Sequence, residues 1–111
     1  MDLKHLSPNL AVSPQIRPAD IAGLAAAGFT GIVNNRPDDE APDQPSSLEL
    51  EAEAKRHGLY YSHIPVVPGQ ASESDARAFA AAVEETGGPV VAFCRTGNRA
   101  ETLWKMTQTP S

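Results

Sequence analysis

Cysteine is almost absent from this chain: Cys94 is the only one in 111 residues. A single cysteine closes no internal disulfide, so the fold must stand on packing alone and suits a reducing cytoplasm. Aromatic residues make up only 5%, which leaves a mainly aliphatic core. Nine basic residues face fourteen acidic ones, for a net charge of −5. A surface of that sign repels nucleic acid and anionic membranes, so neither is expected as a partner. No apolar run approaches the ~18 residues of a membrane span, and Met1-Asp2-Leu3-Lys4 lacks an apolar signal core. The expectation is a cytoplasmic protein. With 41% hydrophobic and 21% charged residues, it should be a single globular domain over 1–111.

One stretch organises the rest: Pro89-Val90-Val91-Ala92-Phe93-Cys94-Arg95-Thr96-Gly97-Asn98-Arg99. Its apolar run predicts a fully buried parallel strand, Gly97 permits a tight bend, and a helix is expected from Asn98 to about Gln108. Between a strand end and a helix N-terminus, unpaired N–H groups converge where the helix dipole is positive, a natural seat for an anion. A cysteine at a strand end is commonly a small apolar filler. Here Arg95 and Arg99 flank it, which favours the thiolate and points to a nucleophile for something anionic. Cys94 is therefore the candidate nucleophile and Arg99 the candidate clamp. Arg95, Thr96, Gly97 and Asn98 are candidates for anion binding, with the amides from Thr96 to Arg99 as the cradle.

Taken in order, Leu3–Leu6 and Leu10–Ser13 flank the turn Ser7-Pro8-Asn9 and read as a small hairpin at the sheet edge. Pro18, Ile21, Leu24, Ala25 and Gly28 mark a first helix and its end, and Thr30–Asn34 follows as a buried strand. The polar loop from Asn35 to Pro45 leaves the carboxyl end of that strand, where open α/β sheets place ligand sites. Ser46-x-x-Glu49 opens a second helix to His57. The alternation Leu48-Glu49-Leu50-Glu51-Ala52-Glu53 would also suit a strand, but its caps favour helix. Leu59–Val66 reads as a third core strand, and Ser72-x-x-Asp75 caps an amphipathic helix bearing Ala76, Phe79, Ala80 and Val83. Thr109-Pro110-Ser111 should add no packing. Strands alternating with helices predict an α/β fold: a mostly parallel sheet of four to five strands, with helices on both faces.

Beyond the cysteine loop the signals are weaker. Asp38 or Glu40 is a candidate acid facing Cys94, although an acidic loop such as Asp38-Asp39-Glu40 can equally be solvated surface. Arg36 is a candidate substrate-binding residue that either adds positive charge at the same mouth or pairs with those carboxylates. His63 is expected to be a hydrogen-bonded structural histidine and Trp104 part of the core. His5, His57 and His63 share no ligand spacing with Cys94, so no metal is expected, and no cofactor is implied.

The pattern Leu10-x-Val12-Ser13-x-Gln15, Ile32-Val33-Asn34-Asn35-Arg36-Pro37-Asp38-x-Glu40, His63-x-Pro65 and Phe93-Cys94-Arg95-x-Gly97-x-Arg99 resembles the bacterial beta-lactamase hydrolase-like protein, phosphatase-like family. The resemblance runs from about Leu3 to Met106. It implies a cysteine-phosphatase-like fold, similar to that of the dual-specificity phosphatases. Members of that family occur alone or fused to a metallo-β-lactamase-fold persulfide dioxygenase, which implies a link to sulfide and persulfide handling.

The residues weigh the two chemistries. Cysteine phosphatases space Cys and Arg by five residues, with a His before the Cys, a Ser or Thr after the Arg, and a separate acid. Here Phe93 precedes Cys94, four residues separate it from Arg99, Ala100 follows, and Val67-Pro68-Gly69 carries no carboxylate. General-acid help is typically worth about 10²–10⁴ in rate, so its absence counts. The shorter loop resembles that of single-domain rhodaneses, whose cysteine accepts a sulfane sulfur and needs no acid. The leading expectation is a rhodanese-like sulfurtransferase carrying a Cys94 persulfide. Its partners would be a small anionic donor (thiosulfate or a low-molecular-weight persulfide) and a thiol acceptor, with a functional link to a persulfide dioxygenase. The alternatives are a cysteine-dependent phosphatase working through a phosphocysteine, with Asp38 or Glu40 as acid, and a non-catalytic anion-binding module.

Overall fold

The computed structural model describes residues 2–108, so the expectation for Thr109-Pro110-Ser111 lies outside the described residues. Its strands are β1 (Lys4–Ser7), β2 (Leu10–Ser13), β3 (Gly31–Asn34), β4 (Tyr60–His63) and β5 (Val90–Phe93). Its helices are α1 (Pro18–Ala26), α2 (Ser47–Arg56), α3 (Glu73–Thr86) and α4 (Asn98–Gln108). The sheet order is β1-β2-β5-β3-β4, with β1 antiparallel to β2 and all other pairs parallel. This is the mostly parallel α/β sheet that the alternation predicts.

The apolar run of β5 lies at the centre and every residue in it is buried, as a strand covered on both faces must be. Its side chains alternate between two cores. Val90 and Ala92 meet Phe79 of α3 and Leu103 of α4 on one face. Val91 and Phe93 meet Ile21 and Leu24 of α1 and Leu50 and Ala54 of α2 on the other. Both serine caps form: Ser46 Oγ accepts the Glu49 amide at 3.1 Å, and Ser72 and Asp75 cap each other at 3.1 and 3.2 Å. Trp104 is half-buried against the α3–α4 core.

Two expectations need correcting. Only β1 of the hairpin lies at the sheet edge; β2 sits between β1 and β5, because Leu10, Ala11 and Val12 are apolar toward both faces and all buried. The strand expected over Leu59–Val66 is shorter, Tyr60–His63, and forms the opposite edge. Its exposed Tyr60 and His63 suit an edge and not a centre.

Four parallel strands end at one rim, so the segments after β2, β3, β4 and β5 meet there, at the carboxyl edge that binds ligands in open α/β sheets. Among the described residues, no helix is long and apolar enough to cross a membrane.

Candidate functional site

Each segment at the carboxyl rim brings one component. After β5 comes Cys94, which is 0% exposed. The chain then bends through Gly97 at φ +96°, a backbone conformation that side-chain-bearing residues rarely adopt. The bend turns amides toward the sulfur: the Gly97 N–H donates to Sγ at 3.1 Å and the Arg99 N–H at 3.3 Å. The Asn98 amide donates instead to Thr96 Oγ1 at 3.3 Å. Of the amides expected to form the cradle, two point at the sulfur.

The loop after β3 supplies Arg36, whose side chain is only 6% exposed. Its Nη1 donates to Gln15 Oε1 at 2.8 Å and its Nε to Glu40 Oε1 at 2.8 Å. Gln15 spends its own Nε2 on the Ile16 carbonyl at 2.7 Å, which leaves its oxygen for the arginine. The backbone of Arg36 is held from both sides. Its N–H donates to Asn34 Oδ1 at 2.9 Å, and His63 Nε2 donates to its carbonyl at 2.9 Å. Gln44 pins the far side of the loop, with Nε2 on the Pro37 carbonyl at 2.8 Å and Oε1 accepting the Glu40 amide at 3.1 Å.

Glu40 joins the two loops. Its carboxylate takes Arg99 in a two-point contact, Nη1 to Oε2 at 2.7 Å and Nη2 to Oε1 at 3.0 Å. Arg99 Nη1 also donates to the Val66 carbonyl, beyond β4, at 2.9 Å. Arg99, and after it Arg36, hold the Glu40 carboxyl below the usual glutamate range despite the opposing effect of partial burial. Reciprocally, Glu40 first and the Cys94 sulfur after it push Arg99 upward.

Between these loops lies a cleft of about 650 Å³. Arg36, Glu40, Arg95, Thr96, Asn98 and Arg99 supply its polar wall, and Pro42 and Pro68 part of its apolar one. Cys94 and Gly97 are buried beneath this wall. Arg36 does both things expected of it as alternatives: it lines the cleft and pairs with Glu40. Asp38 does not line the cleft. Its Oδ1 accepts the Ser47 amide at 2.8 Å, one of the first-turn amides that a helix leaves unpaired. Gln15, Gln44 and the Val66 carbonyl carry parts of the site that the sequence did not single out by role. Only Gln15 had a signal, as a member of the first motif. Among the described residues, no three of His, Cys, Asp and Glu stand together as a metal site would require.

The site is a strand-borne cysteine held by two amides beside an arginine-lined cleft. The model of the beta-lactamase hydrolase-like protein, phosphatase-like domain matches residues 2–111. The chain belongs to this family. It is 38% identical over 104 residues to the beta-lactamase hydrolase-like protein of Agrobacterium fabrum, covering 94% of this chain and 24% of that protein. The chain thus spans about a quarter of the length of the curated relatives that it matches. Among solved structures, a candidate phosphatase from Neisseria meningitidis superposes with TM-score 0.87 at 31% identity, covering 94% of this chain and 74% of that one. TpbA of P. aeruginosa, solved with phosphotyrosine, shares the fold with TM-score 0.64 at 21% identity, covering 91% of this chain and 58% of that one. The family's architecture is thus that of the cysteine phosphatases, as the motifs imply.

Proposed function

We propose that this domain is a cysteine-dependent phosphatase that hydrolyses phosphomonoesters through a phosphocysteine on Cys94. The observation that carries the reading is the Cys94 sulfur held by two amides at the base of a loop whose Arg99 lines the cleft. The phosphatase-like family and the phosphatase names of its structural relatives support the same reading. The sulfur attacks phosphorus, an S–P bond forms, and the leaving oxygen departs with the P–O electron pair. Water then attacks the phosphocysteine, releasing orthophosphate and restoring the thiolate. Arg99 would grip the equatorial oxygens with its planar fork, while Arg36 and Arg95 add positive charge and Thr96 and Asn98 add polar contacts at the mouth.

Proton donation limits the substrate range. Glu40 is ionised between two arginines and Asp38 caps α2, so neither offers a proton in this arrangement. Substrates whose leaving group departs as a stable anion, such as aryl phosphates, are favoured. Alkyl phosphates should lag by about 10²–10⁴, the usual worth of an acid. A reducing cytoplasm, which keeps a lone thiol free, is part of this proposal.

Sulfurtransferase chemistry is the second reading. Two observations favour it: the four-residue spacing from Cys94 to Arg99, and, among the described residues that line the cleft, no acid besides the arginine-paired Glu40. Cys94 would then pass sulfane sulfur from thiosulfate or a low-molecular-weight persulfide to a thiol, and a persulfide dioxygenase would be its functional partner. Hydrolysis of p-nitrophenyl phosphate, with mass spectrometry of the trapped enzyme, separates the readings. Turnover and a phosphorylated Cys94, both lost in Cys94→Ser, support the phosphatase. Thiosulfate-to-cyanide transfer with a Cys94 persulfide and no phosphoryl adduct supports the transferase, and anion binding without either adduct leaves a non-catalytic module.

A further inference from the structure

The two-point grip of a guanidinium is the feature that recognises a phosphoryl or sulfuryl head, and in the free protein it is filled. The Glu40 carboxylate takes both terminal nitrogens of Arg99, at 2.7 and 3.0 Å. The same carboxylate keeps a second partner, Arg36 Nε at 2.8 Å. The two arginines are held differently. Both line the cleft, but Arg36 is nearly buried and fixed by Gln15 and its own backbone bonds, whereas Arg99 is otherwise held by the Val66 carbonyl and the Cys94 sulfur, the atoms around which a substrate would bind. Gln44 holds the Glu40 amide, so the carboxylate can leave Arg99 by side-chain rotation while its backbone stays in place.

We infer that Glu40 is an internal stand-in for the substrate's anionic head, occupying Arg99 in the free protein and withdrawing to Arg36 when a dianion enters. The inference rests on the anion-binding part of the proposed function and adds a selecting role. A monoanionic carboxylate entering the cleft merely replaces one carboxylate by another. A dianion brings a second charge that Arg95 and the loop dipole also attract, so it displaces Glu40 where a monoanion does not.

The test is calorimetric titration of orthophosphate and of acetate into the protein and into Glu40→Gln, at neutral pH. Removing the competing charge should tighten orthophosphate binding by about tenfold or more, the scale of one charge-assisted hydrogen bond, and should make acetate binding measurable. Equal or weaker orthophosphate binding in the variant would overturn the inference and make Glu40 a residue that positions Arg99. A crystal structure of the unmodified protein with orthophosphate tests the same point without a variant. Orthophosphate on Arg99 with Glu40 on Arg36 alone supports it, and Glu40 still on both nitrogens of Arg99 refutes it. Failure of the phosphatase reading looks different: tighter binding in the variant but no phosphocysteine. Should neither protein bind orthophosphate, the stand-in role falls as well.

Discussion

The Gly97 amide lies 3.1 Å from the Cys94 sulfur and reaches it because Gly97 turns at φ +96°. Gly97→Ala should therefore do two things at once. Strain at that φ should cost about 1–3 kcal/mol of stability. The loop should also relax away from the sulfur, slowing alkylation of Cys94 by iodoacetamide and lowering turnover. Thermal melts beside alkylation rates check both. An alanine variant with unchanged alkylation and turnover would show that the amide is unimportant.

Arg99→Lys separates charge from shape. An ammonium keeps the charge but cannot offer a planar two-point grip, to Glu40 or to the oxyanion that replaces it, while also holding the Val66 carbonyl. Loss of kcat/KM by about 10² or more is expected, on the scale of a removed oxyanion donor, with only a small change in melting temperature. Steady-state kinetics on an aryl phosphate and a thermal melt suffice.

Asp38→Ala reverses that pattern. Its carboxylate holds the Ser47 amide at the start of α2, so its removal should cost about 0.5–2 kcal/mol, the range of helix-capping losses. Turnover should be unchanged. Urea unfolding and kinetics on the same preparation decide it, and a collapse of kcat with stability intact would restore Asp38 as the acid.

Glu40→Gln should flatten the acid limb of stability. The arginines hold the Glu40 carboxyl below its ordinary 4.5 in the folded protein. Its ion pairs thus contribute in full above that value, and the contribution fades as pH falls through the lowered one. The variant should be less stable at neutral pH by about 1 kcal/mol, the upper end for an ion pair whose carboxylate keeps 21% exposure. That gap should close below pH 4.5. Urea melts of both proteins at a series of pH values give the difference directly, and a gap that widens in acid would contradict the assignment.

The central strand and its cysteine loop were legible because everything that defines them is contiguous: an apolar run, one cysteine, one glycine and two arginines within eleven positions. The same reasoning overextended β4, since Leu59, Ile64 and Val66 bracket a polar middle that hydropathy alone reads as core. The Glu40–Arg99 contact spans 59 positions. Nothing local selects Glu40 over Asp38 or Asp39 to make it, because the selection comes from Gln44 and from the register that sets β3 beside β5. Gln15 likewise acts only through Arg36, which lies 21 positions away.

The seclusion of Cys94 also governs how it would age under oxidative stress. A peroxide small enough to enter the cleft would convert the thiolate to a sulfenic acid. The common rescue is condensation with a neighbouring thiol. This chain holds no second cysteine, so the rescuing thiol would have to thread in through the mouth lined by Arg95, Arg99 and Pro68. The thiol that restores the sulfur therefore comes from outside this domain and passes the arginines of the cleft.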